Sequence, residues 1–132
     1  MGVGTGGCFS GNSEYLKERI PRIKCVAIEP YHVRALSGGE MSGKHKLEGI
    51  GAGFVPSICR LDLADEIVAV KDEDAMDTAR KLARTEGIFG GTTSGANVWT
   101  AIQRARKLGA GKKIVTVVCD SGLKYLNGDL YK

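Results

Sequence analysis

Apolar positions in this chain come in two spacings that alternate along its length. Short continuous runs of strand length occur at Lys24-Cys25-Val26-Ala27-Ile28-Glu29, which Pro30 stops, and at Glu66-Ile67-Val68-Ala69-Val70. Ile114-Val115-Thr116-Val117-Val118 is a third, apolar throughout as a parallel strand covered on both faces should be. Ile88-Phe89 is a brief fourth. Elsewhere the spacing is helical. Asp72 caps a helix whose apolar face is Ala75, Met76, Ala79, Leu82 and Ala83, and Gly87 ends it. A second stripe runs through Val98, Ala101, Ile102, Ala105 and Leu108, and Ser10 to Arg19 reads as a short helix ending before Pro21. Residues 30–65 are weakly periodic and rich in glycine, and a connection of that length in a compact domain is usually functional. Strands alternating with helices predict an α/β fold, a three-layer sandwich with a mainly parallel sheet flanked by helices.

Length makes this one domain, 1–132, able to bury roughly two thirds of its unfolded surface. Hydrophobic content of 42% and charged content of 26% are those of an ordinary soluble globular protein. The net charge of +4 arises from interspersed signs, as in Lys71-Asp72-Glu73-Asp74, which describes a solvated surface and argues against nucleic acid as a partner. No apolar run approaches the roughly 20 residues of a membrane span. Cys8, Cys25, Cys59 and Cys119 show no metal-like spacing, and Cys25 and Cys119 lie in apolar runs where a thiol acts as a small hydrophobe. With no secretory leader in view, these features predict a reducing compartment, the cytoplasm or, in a eukaryote, an organelle.

Most of the nineteen glycines cluster in three places, 2–11, 38–53 and 87–95, and each carries a candidate site. Gly2-Val3-Gly4-Thr5-Gly6-Gly7 precedes a helix, so its backbone amides and the helix dipole can hold an anion. Gly2, Gly4 and Gly7 also fit GxGxxG, with Glu29 at a strand end as the ribose-binding acid of a nicotinamide or flavin site. A turn without ligand explains the same residues. The second site is His45-Lys46-Leu47-Glu48-Gly49-Ile50-Gly51-Ala52-Gly53-Phe54-Val55-Pro56, which general chemistry assigns no task and where His45 reads as a structural hydrogen-bonder. The third, Gly91-Thr92-Thr93-Ser94-Gly95-Ala96, is either a helix cap at Thr93 or Ser94 or a hydroxyl aimed at a ligand beyond a strand end.

In series, GTGG, HKLEGIGAGFVP, GTTSGA and DSGLKYL resemble the C-terminal portion of cysteine synthase (O-acetylserine sulfhydrylase), a fold-type II pyridoxal-phosphate enzyme, over essentially the whole chain. The resemblance implies that Gly4, Thr5, Gly6 and Gly7 hold the cofactor phosphate, with Cys8 standing where the family has a threonine. It implies that Thr93 meets the pyridine nitrogen, that Gly49, Ile50, Gly51, Ala52 and Gly53 border the substrate, and that Asp120 and Ser121 stand behind the ring end. The implied reaction replaces the acetate of O-acetylserine by sulfide to give cysteine, and thiosulfate or homocysteine as acceptor is left open.

The family's cofactor-bonding lysine, in a context like S-x-K-D-R, and its T-S-G-N-T substrate loop are not among these 132 residues. Lys71-Asp72 is the one Lys-Asp pair, and it opens a helix without a following arginine. The expectation is therefore a truncated portion, inactive by itself, with no catalytic residue of its own. The alternatives are a non-catalytic remnant that binds a phosphate ligand or a partner, and a nicotinamide-dinucleotide module. A homodimer and the C-terminal tail of serine acetyltransferase are the partners implied for an intact enzyme.

Overall fold

The structure is a computed structural model that describes residues 1–39, 41 and 43–132. Glu40 and Ser42, in the long connection, lie outside the described residues. Among the described residues, three helices and a parallel sheet form the frame: α1 (Gly7–Arg19), β1 (Val26–Pro30), β2 (Glu66–Val70), α2 (Asp72–Glu86) and α3 (Thr92–Leu108). Two short 3-10 turns, Leu61–Leu63 and Gly122–Tyr125, complete it.

β1 and β2 pair in parallel, Val26 against Glu66 through Pro30 against Val70. On the other edge of β1, Val3 N donates to Ile28 O at 3.1 Å and Ile28 N to Met1 O at 3.0 Å, so residues 1–3 run as a third parallel segment. The alternation of strand side chains sorts the core. Cys25 and Ala27 face α1 with Val3 and Phe9, joined by Cys59, Leu63, Ala64 and Ile67. Ile28 and Val70 face α2 and α3 with Leu47, Ile50, Ala75 and Ala96. The sheet is thus covered by α1 on one face and by α2 and α3 on the other, which is the expected layering.

The face of α2 is as the spacing predicts: Ala75, Met76, Ala79 and Leu82 are buried and Ala83 half-buried. Gly87 closes the helix at φ 68°, a left-handed cap that favours glycine, with its N–H on Leu82 O. Asp72, however, is the first helical residue and Lys71 the N-cap, because the Asp72 carboxylate accepts from Lys46 N at 2.8 Å instead.

The remaining expectations need more correction. α1 starts at Gly7, not Ser10, since the glycine loop turns directly into the helix and Ser10 N already donates to Gly6 O. Pro30 ends β1 from within, at the last position, where its missing N–H costs no ladder bond. The buried side of α3 is Thr92, Thr93, Ser94, Gly95, Ala96, Asn97 and Thr100, whereas Ile102, Ala105 and Leu108 are exposed. Small residues win that face because α2 crosses so closely that a Cβ on Gly95 would collide with Ala75 O. Ile88-Phe89 contributes a single antiparallel bridge, Gly90 to Ser121. Ile114–Val118 forms no strand, having no laddered neighbour among the described residues. Cys25 is buried as expected, but Cys119 is exposed.

Candidate functional site

The first residues of α1 define one wall of the site. Its first intrahelical bond runs from Ser10 N to Gly6 O at 2.9 Å, so the amides of Gly7, Cys8 and Phe9 have no intrahelical acceptor. Gly6, at φ 93°, makes the turn, and Cys59 presses on it so closely that a Cβ would lie 2.5 Å from the cysteine's own. A Cβ on Gly4 would strike Gly49 O, so the first glycine loop and the second touch backbone to backbone.

That contact builds a groove of about 480 Å³ lined by Gly4, Thr5, Gly49, Ile50, Ala52 and, beyond them, Phe54, Pro56, Ser57 and Ile58. It opens beyond Val3, at the carboxyl end of the parallel segments, where open α/β sheets bind ligands. Of the expected residues, Gly6, Gly7 and Cys8 lie at the helix start beside it. Gly51, at φ 71°, turns toward Pro30 and His45, and Gly53, at φ 83°, meets nothing that a Cβ would touch.

Thr93 is buried below the groove beside Ile50, both lying against Gly2. Its Oγ1 donates to Glu48 O at 2.7 Å, which fastens the second loop to α3. A hydroxyl has one proton, so toward any further partner Thr93 offers lone pairs. Neither Thr93 nor Ser94 caps α3 with its own side chain; Gly91 is the N-cap.

The cap comes from 26 residues away. Asp120 accepts from Ser94 N at 2.8 Å, Thr93 N at 3.1 Å and Ser94 Oγ at 2.5 Å, and Tyr125 OH donates to it at 2.7 Å. Burial would raise the Asp120 carboxyl, but these donors outweigh burial and hold it below its ordinary value. Burial, and then the carboxylate beside it, push the Tyr125 hydroxyl up to about 12. Ser121 stands apart, accepting from Leu123 N at 3.3 Å to start the 3-10 turn. Glu29 is also committed elsewhere: buried, it accepts from Leu36 N at 2.8 Å and Ser37 Oγ at 2.5 Å. The acid on which the dinucleotide alternative depends holds the following loop.

Phe54, Pro56, Ser57 and Ile58 were not singled out from sequence as wall residues. Phe54 and Pro56 belong to the HKLEGIGAGFVP run, but Ser57 and Ile58 carry no motif. No group of three or more potential metal ligands occurs among the described residues.

A parallel sheet flanked by helices, a helix start whose first amides lack intrahelical acceptors and a glycine-walled groove at the strand ends define the α/β class to which the chain belongs. The chain belongs to the pyridoxal-phosphate-dependent enzyme family, which residues 1–120 match. It is 48% identical over 130 residues to a cysteine synthase of Staphylococcus aureus, which covers 98% of this chain and 42% of that protein. Among solved structures, a cysteine synthase of Entamoeba histolytica superposes with a TM-score of 0.94 at 40% identity, over 98% of this chain and 38% of that one. An O-ureido-L-serine synthase gives 0.95 at 34% identity, over 99% and 41%. The chain therefore spans about 42% of the length of the curated relative it matches, as a partial cysteine-synthase-like sequence. No helix among the described residues is long and apolar enough to cross a membrane.

Proposed function

We propose that this chain, as one domain, forms the cofactor-phosphate side of a cysteine-synthase-type enzyme. The observation that carries the reading is the groove where Gly4 and Thr5 meet Gly49, Ile50 and Ala52, at the start of α1. A phosphomonoester fits this donor set: amides at Gly7, Cys8 and Phe9 without intrahelical acceptors, the positive end of α1, and the exposed Thr5 hydroxyl. Gly4, Thr5, Gly6, Gly7 and Cys8 hold the phosphate of pyridoxal 5'-phosphate. Gly49, Ile50, Gly51, Ala52 and Gly53 border an amino-acid substrate.

Thr93 stands toward the ring nitrogen, and donating to it requires the hydroxyl to release Glu48 O. Asp120 sets Thr93 in place by capping α3, and Ser121 supports the turn behind it. When bound, pyridoxal phosphate supplies an electron sink for replacing a group on the substrate's β-carbon. The reaction we propose for the whole enzyme turns O-acetylserine and sulfide into cysteine and acetate, in the cytoplasm. A homodimer and the serine acetyltransferase tail are proposed partners of that whole enzyme. The chain by itself brings binding groups and no cofactor-bonding lysine.

Two ligands and one reduction test this. Pyridoxal 5'-phosphate is expected to bind at least about tenfold more tightly than pyridoxal, the margin of one or two charge-assisted hydrogen bonds. Borohydride reduction of the bound state is expected to label no lysine stoichiometrically by mass spectrometry. Equal affinity for the two ligands would overturn the phosphate cradle. One lysine labelled near completion would show that the chain carries its own anchor.

A further inference from the structure

The wall of the groove contributed by Gly49, Ile50 and Ala52 has no regular secondary structure, so something must give it a shape. Beside the exposed Lys124–Glu48 ion pair at 3.1 Å, three contacts among the described residues bear on that shape. Thr93 Oγ1 takes Glu48 O, and Gly51 N donates to Val3 O at 3.3 Å. The third is the His45 ring, which reaches both ends of the loop. Leu47 N donates to its Nδ1 at 3.2 Å, and its Nε2 lies 3.2 Å from Gly51 O.

An amide N–H can only donate, so Nδ1 is the unprotonated nitrogen. Nε2 therefore carries the proton and donates it to Gly51 O. Both ring nitrogens are committed to one loop. Leu47, fully buried between the sheet and α2, anchors the near end, and Gly51 is packed against Pro30 so tightly that a Cβ would lie 2.5 Å from Pro30 Cγ. The ring spans the distance between those two fixed points.

We infer that His45 is a positioning residue for the groove: its neutral, Nε2-protonated imidazole clasps Leu47 to Gly51 and so sets where Ile50 and Ala52 stand. Its hydrogen bonds go to Leu47 and Gly51 rather than to Gly49, Ile50 or Ala52, so it acts on the groove through the loop. This deepens the function proposed above and rests on it for the identity of the ligand, but the clasp is a property of the loop alone.

The test uses the full chain. Long-range proton–nitrogen NMR of the His45 ring is expected to find Nε2 protonated and Nδ1 bare. His45→Ala is expected to raise deuterium exchange at Leu47 to Gly53 about tenfold while β1, α2 and α3 keep theirs. Pyridoxal 5'-phosphate affinity is expected to fall by about tenfold, the effect of losing one or two neutral hydrogen bonds. His45→Asn, whose amide oxygen can accept from Leu47 N but cannot reach Gly51, is expected to recover part of both. The opposite tautomer, unchanged loop exchange, or exchange rising equally through the helices would each overturn the clasp. If His45→Ala does not fold, the tautomer and His45→Asn decide. A wild-type chain that binds no pyridoxal phosphate would sink the proposed function and leave the exchange result to judge His45.

Discussion

The Cys8 thiol is exposed on the second residue of α1, with Asn12 Nδ2 3.6 Å from its sulfur and Met1 Sδ at 3.7 Å. A thiol is a weaker donor than a hydroxyl, so this position gives an anion at the helix start less than threonine would. Cys8→Thr is therefore expected to tighten pyridoxal 5'-phosphate by about three- to tenfold, the margin of one added hydrogen bond, measured by titration beside the parent chain. Affinity that stays level or weakens would mean the residue at 8 does not face the phosphate. Thr93 shows a different limit at the same scale. Its place in GTTSGA was legible as a hydroxyl near a site, but the partner that holds it, Glu48 O, lies 45 residues away and no local pattern announces it. Glu29, whose ribose-binding role was one alternative, shows the same limit: a buried acid at a strand end looks alike whether a ribose hydroxyl or Ser37 donates to it.

Elements whose signals are local came through the sequence well. β1, β2 and α2 follow from run length, period and a terminal glycine, all visible within a window of fifteen residues. What failed depended on neighbours. The strand expected at Ile114–Val118 has the right residues but no ladder, and the aliphatic stripe of α3 lost its place to Gly95 and Ala96 at the α2 crossing. Long-range charge does similar unseen work at Asp65, just before β2. It accepts from Lys17 at 2.7 Å, Lys24 at 3.1 Å and Cys25 N at 2.8 Å, tying α1 to the entries of both strands. Burial opposes its ionisation, yet these donors hold its carboxyl at about 2, against 3.8 ordinarily. A carboxyl depressed on folding stabilises the fold above its unfolded value, and that contribution disappears as pH falls through the folded one. Unfolding free energy is expected to drop by about 1–2 kcal/mol between pH 4 and pH 2 on this account, allowing for the exposure of Lys24. Asp65→Asn should remove that part of the slope in urea titrations at stepped pH. A slope identical to the parent's would show that the ion pairs contribute nothing.

At the scale of the whole molecule the core is divided unevenly. Both faces of β1 are covered, and Tyr125 and Leu130 pack on Met76 and Ala79 of α2, whereas the far side of α3 and residues 109–118 are left largely to solvent. Val115 is 94% exposed, and Val118, Ile102 and Leu108 are between 41% and 52% exposed. Backbone groups of 114–118 make no backbone pair among the described residues; only Asn97 Nδ2, 2.8 Å from Val117 O, and Thr116 Oγ1, 3.4 Å from Asn97 O, tie the segment to α3. An apolar segment with unpaired amides and carbonyls is a template for another strand, and a net charge of +4 gives only modest repulsion against it. The chain is therefore expected to self-associate, with a weight-average mass by sedimentation equilibrium that rises with concentration above the 14.0 kDa of a single copy. Val115→Lys places a charge at the most exposed apolar position and should return the mass toward 14.0 kDa with the far-ultraviolet spectrum unchanged. A parent chain that is monodisperse at every concentration would show that this edge is inert. Association that survives Val115→Lys would move the contact to the Ile102 and Leu108 side of α3, where Ile102→Lys is the next variant to weigh.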